Sequence, residues 1–179
     1  MAEDKNSLME SYPCQLKDLK LSCYGCCGDD WTSKADVEND IWLNSKDFKE
    51  IYSDNEKSVL DLEFFRDRFA KDEVSKSGVC MNLVDFGSRC LACPLHPKVN
   101  KIVSCKKTVA PISDLRVGHC DVNYECETVK FWNLMNSVQR SEFIEFLILK
   151  DLDNYEYSMK NVSGELIKEF FESKKLKLD

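Results

Sequence analysis

Apolar residues recur at three- and four-residue steps through 59-VLDLEFFRDRF-69, where Val59, Leu62, Phe65 and Phe69 fall on one side of a 3.6-residue turn. The spacing predicts an amphipathic helix inside a helical block running from Ala35 to Ala70. Just ahead of it, 53-SDNE-56 places Ser53 and Glu56 at capping-box distance. A second helical block is expected from Glu125 onward. There 141-SEFIEFLILKDL-152 is densely apolar and opens on a serine cap, and 163-SGELIKEFFESKK-175 is a shorter amphipathic segment. Between the blocks the period changes. In 78-GVCMNLVDFGSRCLAC-93, two short β-prone pieces, Cys80 to Val84 and Arg89 to Ala92, flank 85-DFGS-88, with Gly87 available for the turn. This reads as a β-hairpin with cysteines at its ends, leading through 94-PLHP-97 into a basic stretch.

The pattern gives a mainly α chain of α+β class, with cysteine-rich metal-binding loops and a short β-hairpin flanked by helices. Residues 1–12 are expected to be a loose tail, 13–127 a cysteine-cluster metal-binding domain, and 128–179 a helical region packed on it. Trp31, Trp42 and Trp132 are expected in the core or over the metal site.

Composition narrows the class. The chain has 179 residues, 43% hydrophobic and 32% charged, which suits a soluble globular protein with a real core. Its polar N-terminus lacks the basic and apolar regions of a secretory signal, and 143-FIEFLILK-150 is too short to span a bilayer. A cytoplasmic protein with no membrane attachment is expected. A net charge of −7 disfavours general nucleic-acid binding. One local exception sets Lys98, Lys101, Lys106, Lys107 and Arg116 against Asp114 alone, which reads as a solvated face.

Ten cysteines change the picture most. They stand at 14, 23, 26 and 27, at 80, 90 and 93, and at 105, 120 and 126. Reducing cytosol does not sustain disulfides, so clustering there favours metal ligation. Two residues between cysteines let one turn of backbone aim both sulfurs at one ion while amide N–H groups donate to them. Cys23 and Cys26 have that spacing, and so do Cys90 and Cys93. Cys26 and Cys27 are adjacent, and neighbours in extended backbone point to opposite sides. They are therefore not expected to serve one mononuclear site: one reaches a second ion, binds another part of a cluster, or stays free.

The ligand set expected first is Cys23, Cys26, Cys80, Cys90 and Cys93, with Cys27, Cys120 and Cys126 next. Cys14 and Cys105 read equally as ligands or as buried or free thiols. His96, between prolines beside a CxxC, and His119, beside Cys120, read as ligands or as surface histidines. Pro94 directly after Cys93 also resembles the ends of iron–sulfur ligand runs. Enzyme motifs fail on spacing. Neither histidine opens the His-x-Glu of a zinc deaminase, and Pro94 and Pro97 occupy the place of a thioredoxin helix. There is no Walker A, dinucleotide glycine fingerprint or HExxH motif.

These motifs resemble the YkgJ-type cysteine-cluster family, described as chelating zinc or iron. The family carries CxxCxxCC, then Gly-x-Cys-x-x-Leu, then Cys-x-x-Tyr-x-x-Arg-Pro. Here 23-CYGCC-27 is similar to the end of the first, 78-GVCMNL-83 to the second, and 90-CLACPLHP-97 to the third. The resemblance spans roughly residues 20–97. It departs at Lys20, which stands where the leading cysteine would be. Cys93 stands at the tyrosine position, His96 at the arginine, and Asn100 at a later cysteine, for which Cys105 is a possible replacement. Membership would imply a metal more than a reaction.

The function expected is a metal-binding protein holding zinc, or alternatively iron or an iron–sulfur cluster, with a structural or protein-recruiting role. The alternative is an iron–sulfur or mononuclear-iron redox protein that modifies another protein. A zinc-ribbon nucleic-acid binder is disfavoured by charge.

Overall fold

In a computed structural model of the chain, the residues described are 12–52, 59–69, 74–97, 99 and 113–174. They divide into two compact units built from interleaved segments. The first comprises Met1–Cys26, Ser88–Cys90 and Glu125–Asp179; the second comprises Cys27–Gly87 and Leu91–Tyr124. Each has its own hydrophobic cluster. The mainly α, α+β class is as expected.

The first unit opens with a small antiparallel hairpin, β1 (Gln15–Leu16) and β2 (Leu21–Ser22), joined through the 3-10 turn Lys17–Leu19. Lys20 takes a positive φ of 53° to close it. Four helices follow: α3 (Glu127–Leu134), α4 (Ser137–Ile148), α5 (Asn154–Val162) and α6 (Glu165–Ser173). Helix α4 begins on an Asn136/Gln139 capping box, its cap five residues before the serine that the sequence pattern nominates, and Ser141 lies inside the helix. Asp153 and Glu156 cap α5 in the same way. The core joins Leu16 and Leu21 of the hairpin to Trp132, Phe143, Leu147, Leu166 and Phe170. Rings of Phe143 and Phe170 meet edge to face, 5.3 Å between centroids.

The second unit holds α1 (Lys34–Ile51), α2 (Val59–Asp67) and the antiparallel pair β3 (Val84–Asp85) and β4 (Leu91–Ala92). The hairpin is the one expected, though its strands are shorter, and Cys80 lies before them. Its turn uses three consecutive positive φ angles, 90° at Gly87, 53° at Ser88 and 62° at Arg89. Ser33 caps α1, accepting from the Asp36 N–H. Leu62 and Phe65 of α2 pack on Phe48, Val84, Leu95 and Leu115. Phe69, expected on the same helix face, lies beyond the end of α2 and is exposed. Trp132 is in the core as expected, but Trp42 is 61% exposed on α1, and Trp31 is only half-buried.

Ser53 and Glu56, Cys105 and the lysines of the basic stretch lie outside the described residues. Among the described residues no helix is long and apolar enough to cross a membrane.

Candidate metal centre

In the first unit the cysteines are organised by β2. Extending the register that pairs Gln15 with Ser22 puts Cys14 opposite Cys23, and the Cys23 N–H donates to the Cys14 carbonyl at 3.0 Å. Side chains directly opposite on an antiparallel pair share a face. Among the described residues no third strand pairs with the outer edge of β2. Its amides are taken instead by helix α5, Ser22 N–H to Asn154 Oδ1 and Tyr24 N–H to Ser158 Oγ, both at 2.9 Å. Beyond Tyr24 the chain presses onto the same helix. A Cβ at Gly25 would lie 2.7 Å from the Ser158 carbonyl oxygen and 2.8 Å from Val162 Cβ, so only glycine fits between Cys23 and Cys26.

Three thiols of this unit are coupled: Cys26 and Cys126 raise the pKa of Cys23, and Cys26 raises that of Cys126. The Cys23 residue is half-buried overall, but its thiol is enclosed closely enough for burial to push it up to about 12. Cys26 and Cys126 push the same way, while the Gly25 N–H and the Asn161 side chain favour the thiolate. Burial also raises Cys126, with Cys26 adding to it. Cys126 occupies the N-cap of α3. The Val129 and Thr128 amides favour its thiolate, though without the geometry of a side-chain cap bond. Tyr157 completes the grouping. Burial first, then the charges of Cys23, Cys14 and Cys126, hold its phenol well above the ordinary value.

The second unit repeats the plan with other elements. Gly28 bridges Val79 in antiparallel fashion, and the Cys80 N–H donates to the Cys27 carbonyl at 2.8 Å. Gly28 and Gly78 permit this approach, because a Cβ on Gly28 would fall 2.2 Å from the Gly78 carbonyl oxygen and 2.3 Å from Trp31 Nε1. The turn after Cys80 returns an amide to its sulfur, Asn82 N–H to Cys80 Sγ at 3.4 Å. Burial pushes the Cys93 thiol up to about 12, and Cys80 and Cys120 add to it. The Leu95 N–H and the Arg116 guanidinium oppose them. Arg116, held two-pronged by Asp114 at 2.9 and 2.6 Å, also feels Cys120.

A clamp holds the Cys80 turn in place. Asn44 Nδ2 donates to the Cys80 carbonyl at 3.1 Å, and Ser45 Oγ accepts from the Asp85 N–H at 2.8 Å. The Arg68 guanidinium donates to the Met81 carbonyl, to Asn82 Oδ1 and to Asn44 Oδ1.

The buried polar residues among those described are Ser22, Asn44, Ser45, Ser77, Asn82, Thr128, Ser158 and Asn161. Each adjoins or hydrogen-bonds a cysteine-bearing segment. Polar groups are buried at a cost unless partnered, and several partners here are backbone groups of or beside cysteines, the Cys80 carbonyl for Asn44 and the Tyr24 N–H for Ser158.

The eight cysteines expected as ligands thus separate. Cys23, Cys26 and Cys126 belong with Cys14 in one unit; Cys80, Cys93 and Cys120 belong with Cys27 in the other. Cys90 goes elsewhere. It groups with the first unit while Cys93 groups with the second, and its Sγ is directed at Gln15 Oε1, 3.7 Å away. Of the histidines, His96 donates its backbone N–H to the Cys93 carbonyl, and His119 Nε2 faces Asp67 Oδ1 at 3.8 Å. Among the described residues no disulfide joins any two of the nine cysteines.

A tetrahedral zinc with bonds of about 2.3 Å would draw its sulfurs to roughly 3.8 Å of one another. Among the described residues no group of three or more histidine, cysteine or carboxylate side chains is drawn up that far. The sets are neighbourhoods of thiols with amides aimed at sulfur, which is the donor chemistry a thiophilic cation requires.

No family model matches this chain, and no curated protein or solved structure shows significant similarity to it. The resemblance to the YkgJ-type family therefore rests on the quoted motifs.

Proposed function

We propose that this chain is a cytoplasmic metal-binding protein with two thiolate centres, one in each unit. Cys14, Cys23, Cys26 and Cys126 make the first; Cys27, Cys80, Cys93 and Cys120 make the second. Zinc is the metal of the primary reading, and the role is structural or partner-recruiting, with a protein as partner. The observation that carries this reading is the sorting of thiols into one set per unit, each built on a backbone-bonded cysteine pair and ringed by the buried polar residues. Core packing of cysteines gives no reason for either feature. Adjacent Cys26 and Cys27 then serve different centres, because they fall in different units.

A second reading has its own support. Three thiols of each set, Cys23, Cys26 and Cys126 in one and Cys80, Cys93 and Cys120 in the other, are coupled electrostatically, and among the described residues they do not meet at a mononuclear point; a polynuclear cluster holds its thiolates further apart than one ion does. Amide donors to sulfur are also a feature that tunes iron–sulfur centres. In that form the protein is a redox protein acting on another protein.

The deciding experiment is anaerobic purification from unsupplemented cells, then metal analysis and a visible spectrum on one sample. About two zinc per chain without a visible band supports the primary reading, by the rule of four thiolates per structural site. Iron with matching sulfide and a broad visible absorbance replaces it with the second. Absence of both metals overturns the function.

A further inference from the structure

Each unit holds one pair of cysteines on facing stretches of backbone, and the two pairs share a geometry. In the first unit the register of Gln15 with Ser22 and Leu16 with Leu21 continues to Cys14 and Cys23, where the Cys23 N–H closes on the Cys14 carbonyl at 3.0 Å. The residue between, Ser22, gives its N–H to Asn154 instead, as the alternation of an antiparallel ladder requires. In the second unit the antiparallel bridge of Gly28 with Val79 continues to Cys27 and Cys80. The Cys80 N–H donates to the Cys27 carbonyl and the Asp29 N–H to the Gly78 carbonyl, both at 2.8 Å, so the bridge is bonded on either side. Both cysteine pairs therefore stand at hydrogen-bonded positions, directly opposite each other.

Residues at such positions have Cα atoms about 5.5 Å apart and side chains on one face. A disulfide spans Cα separations of about 4.4–6.8 Å, most often near 5.5–6 Å. Neither pair needs a change of register to be joined. All four residues are half-buried thiols in this structure, so the step from dithiol to disulfide is open at both places. The CxxC spacings have no such pairing. Gly25 is pressed onto α5 between Cys23 and Cys26, and Cys90 directs its Sγ at Gln15 Oε1.

We propose that Cys14 with Cys23, and Cys27 with Cys80, are oxidative modification sites, each closing to a cross-strand disulfide on meeting hydrogen peroxide and each disarming the metal centre of its own unit. One thiol attacks the peroxide: an S–O bond forms, the O–O bond breaks, and water leaves with the thiol's proton, giving a sulfenic acid. The facing sulfur then displaces that oxygen: the S–S bond forms, the S–O bond breaks, and a second water carries off the remaining proton. Two thiols are oxidised by two electrons and one peroxide is reduced. In reducing cytosol such a bond is transient and is reversed by thiol exchange. The pairing stands on strand geometry alone. The loss of metal rests on the metal-binding reading above, because each disulfide removes two of the four thiolates assigned to a centre.

The test treats the full-length chain, as purified with its metal, with about two equivalents of hydrogen peroxide, one per disulfide. Remaining thiols are alkylated, the chain is cut with trypsin, and linked peptides and released metal are measured on the same sample. Trypsin leaves Cys23, Cys26 and Cys27 on one peptide, 21–34. The expected product is that peptide joined both to 6–17, which carries Cys14, and to 77–89, which carries Cys80, with Cys26 alkylated. Dithiothreitol should separate all three, and metal should be lost in step with linkage. Peptide 21–34 or 90–98 closed on itself, or thiol loss with no linked peptides, overturns the proposal. Complete linkage with all metal retained overturns the disarming step. A chain that holds no metal as purified but yields the three-peptide product overturns the metal-binding reading and leaves the pairing standing, so the two failures are told apart.

Discussion

Arg68 offers the sharpest measure of how the second unit holds its cysteine turn. Its side chain is 7% exposed, and burial lowers its pKa while the Asp47 carboxylate at 3.2 Å opposes that shift. The guanidinium donates to the carbonyls of Phe65 and Met81 and to the side chains of Asn44, Asn82 and Asp47, and it lies 3.7 Å above the Phe65 ring. Replacing it with methionine keeps the length of the stem and deletes every donor. The two carbonyls, two amide oxygens and one carboxylate then lose a charged partner. Charged hydrogen bonds contribute about 1.5–3 kcal/mol each, but members of one network do not add. Removing one side of a buried ionic cluster typically costs about 3–5 kcal/mol, and we take that range for Arg68→Met.

The assay is urea unfolding of the metal-free protein. With a slope near 2 kcal/mol per molar, the midpoint should fall by roughly 1.5–2.5 M. Arg68→Lys keeps the charge beside Asp47 but not the planar fork, so it should recover part of the loss. Metal loading should drop by one centre in the methionine variant, because Asn44, which holds the Cys80 carbonyl, is itself held by Arg68. A loss below about 1 kcal/mol with full metal content would falsify the claim that this fork organises the cysteine turn.

The thiol assignment gives a direct contrast. Cys14→Ser should halve the metal content and Cys90→Ser should leave it unchanged, and metal analysis giving the reverse would show that CxxC spacing, not strand pairing, selects the ligands. The pH dependence has a definite sign. In the metal-free protein Cys23 and Cys93 are pushed up to about 12, above the value of roughly 8.5 for an unfolded thiol. Their contribution to stability is therefore complete below about pH 8.5 and is lost as pH climbs toward 12. Urea midpoints of the metal-free chain should fall between pH 8 and 10.5, and a rise would sink the argument. Metal affinity should move the opposite way, increasing with pH as fewer protons need displacing, with proton release on loading detectable in weakly buffered solution.

The sequence carried the helical class, the 78–93 hairpin and the clustering of thiols, because each leaves a local trace: apolar period, turn residues, short cysteine spacing. The sequence alone leaves Cys14 undecided because its partnership with Cys23 runs across a hairpin, and nine residues of separation resemble no ligand motif. The register was nevertheless present in Leu16 and Leu21, which both face the core. Cys90 shows the opposite case: its spacing from Cys93 reads as a clamp, while in the structure β4 begins directly after it and its Sγ is directed at Gln15 Oε1. Helix α5 is not legible in the sequence because its buried residues are Tyr157, Ser158 and Asn161, which give no apolar period to read. The Asp153 and Glu156 spacing of its capping box was the available signal. Residue type alone reads Trp42 as core or as cover for the metal site, whereas α1 turns it outward to bury Val37, Ile41, Asn44, Ser45 and Phe48.

The two polar helix faces point to one design reached with different charges. Helix α1 lends Asn44 and Ser45 to the second unit's cysteine segment, and α5 lends Ser158 and Asn161 to the first. The first set is served by neutral donors, the Gly25 and Thr128 amides and the Asn161 side chain. The second has cations as well, Arg116 beside Cys93 and Cys120 and Arg68 beside Cys80. Four thiolates around a divalent ion leave a net charge of −2, and a guanidinium offsets it where an amide dipole only attenuates it. The second centre should therefore hold its thiolates to lower pH and retain metal longer on acidification than the first. Stopped-flow metal release at pH 5.5 should then resolve two phases, and Arg116→Gln should merge them by speeding the slower. Two phases that both persist unchanged in that variant would mean that the guanidinium does not set the difference between the centres.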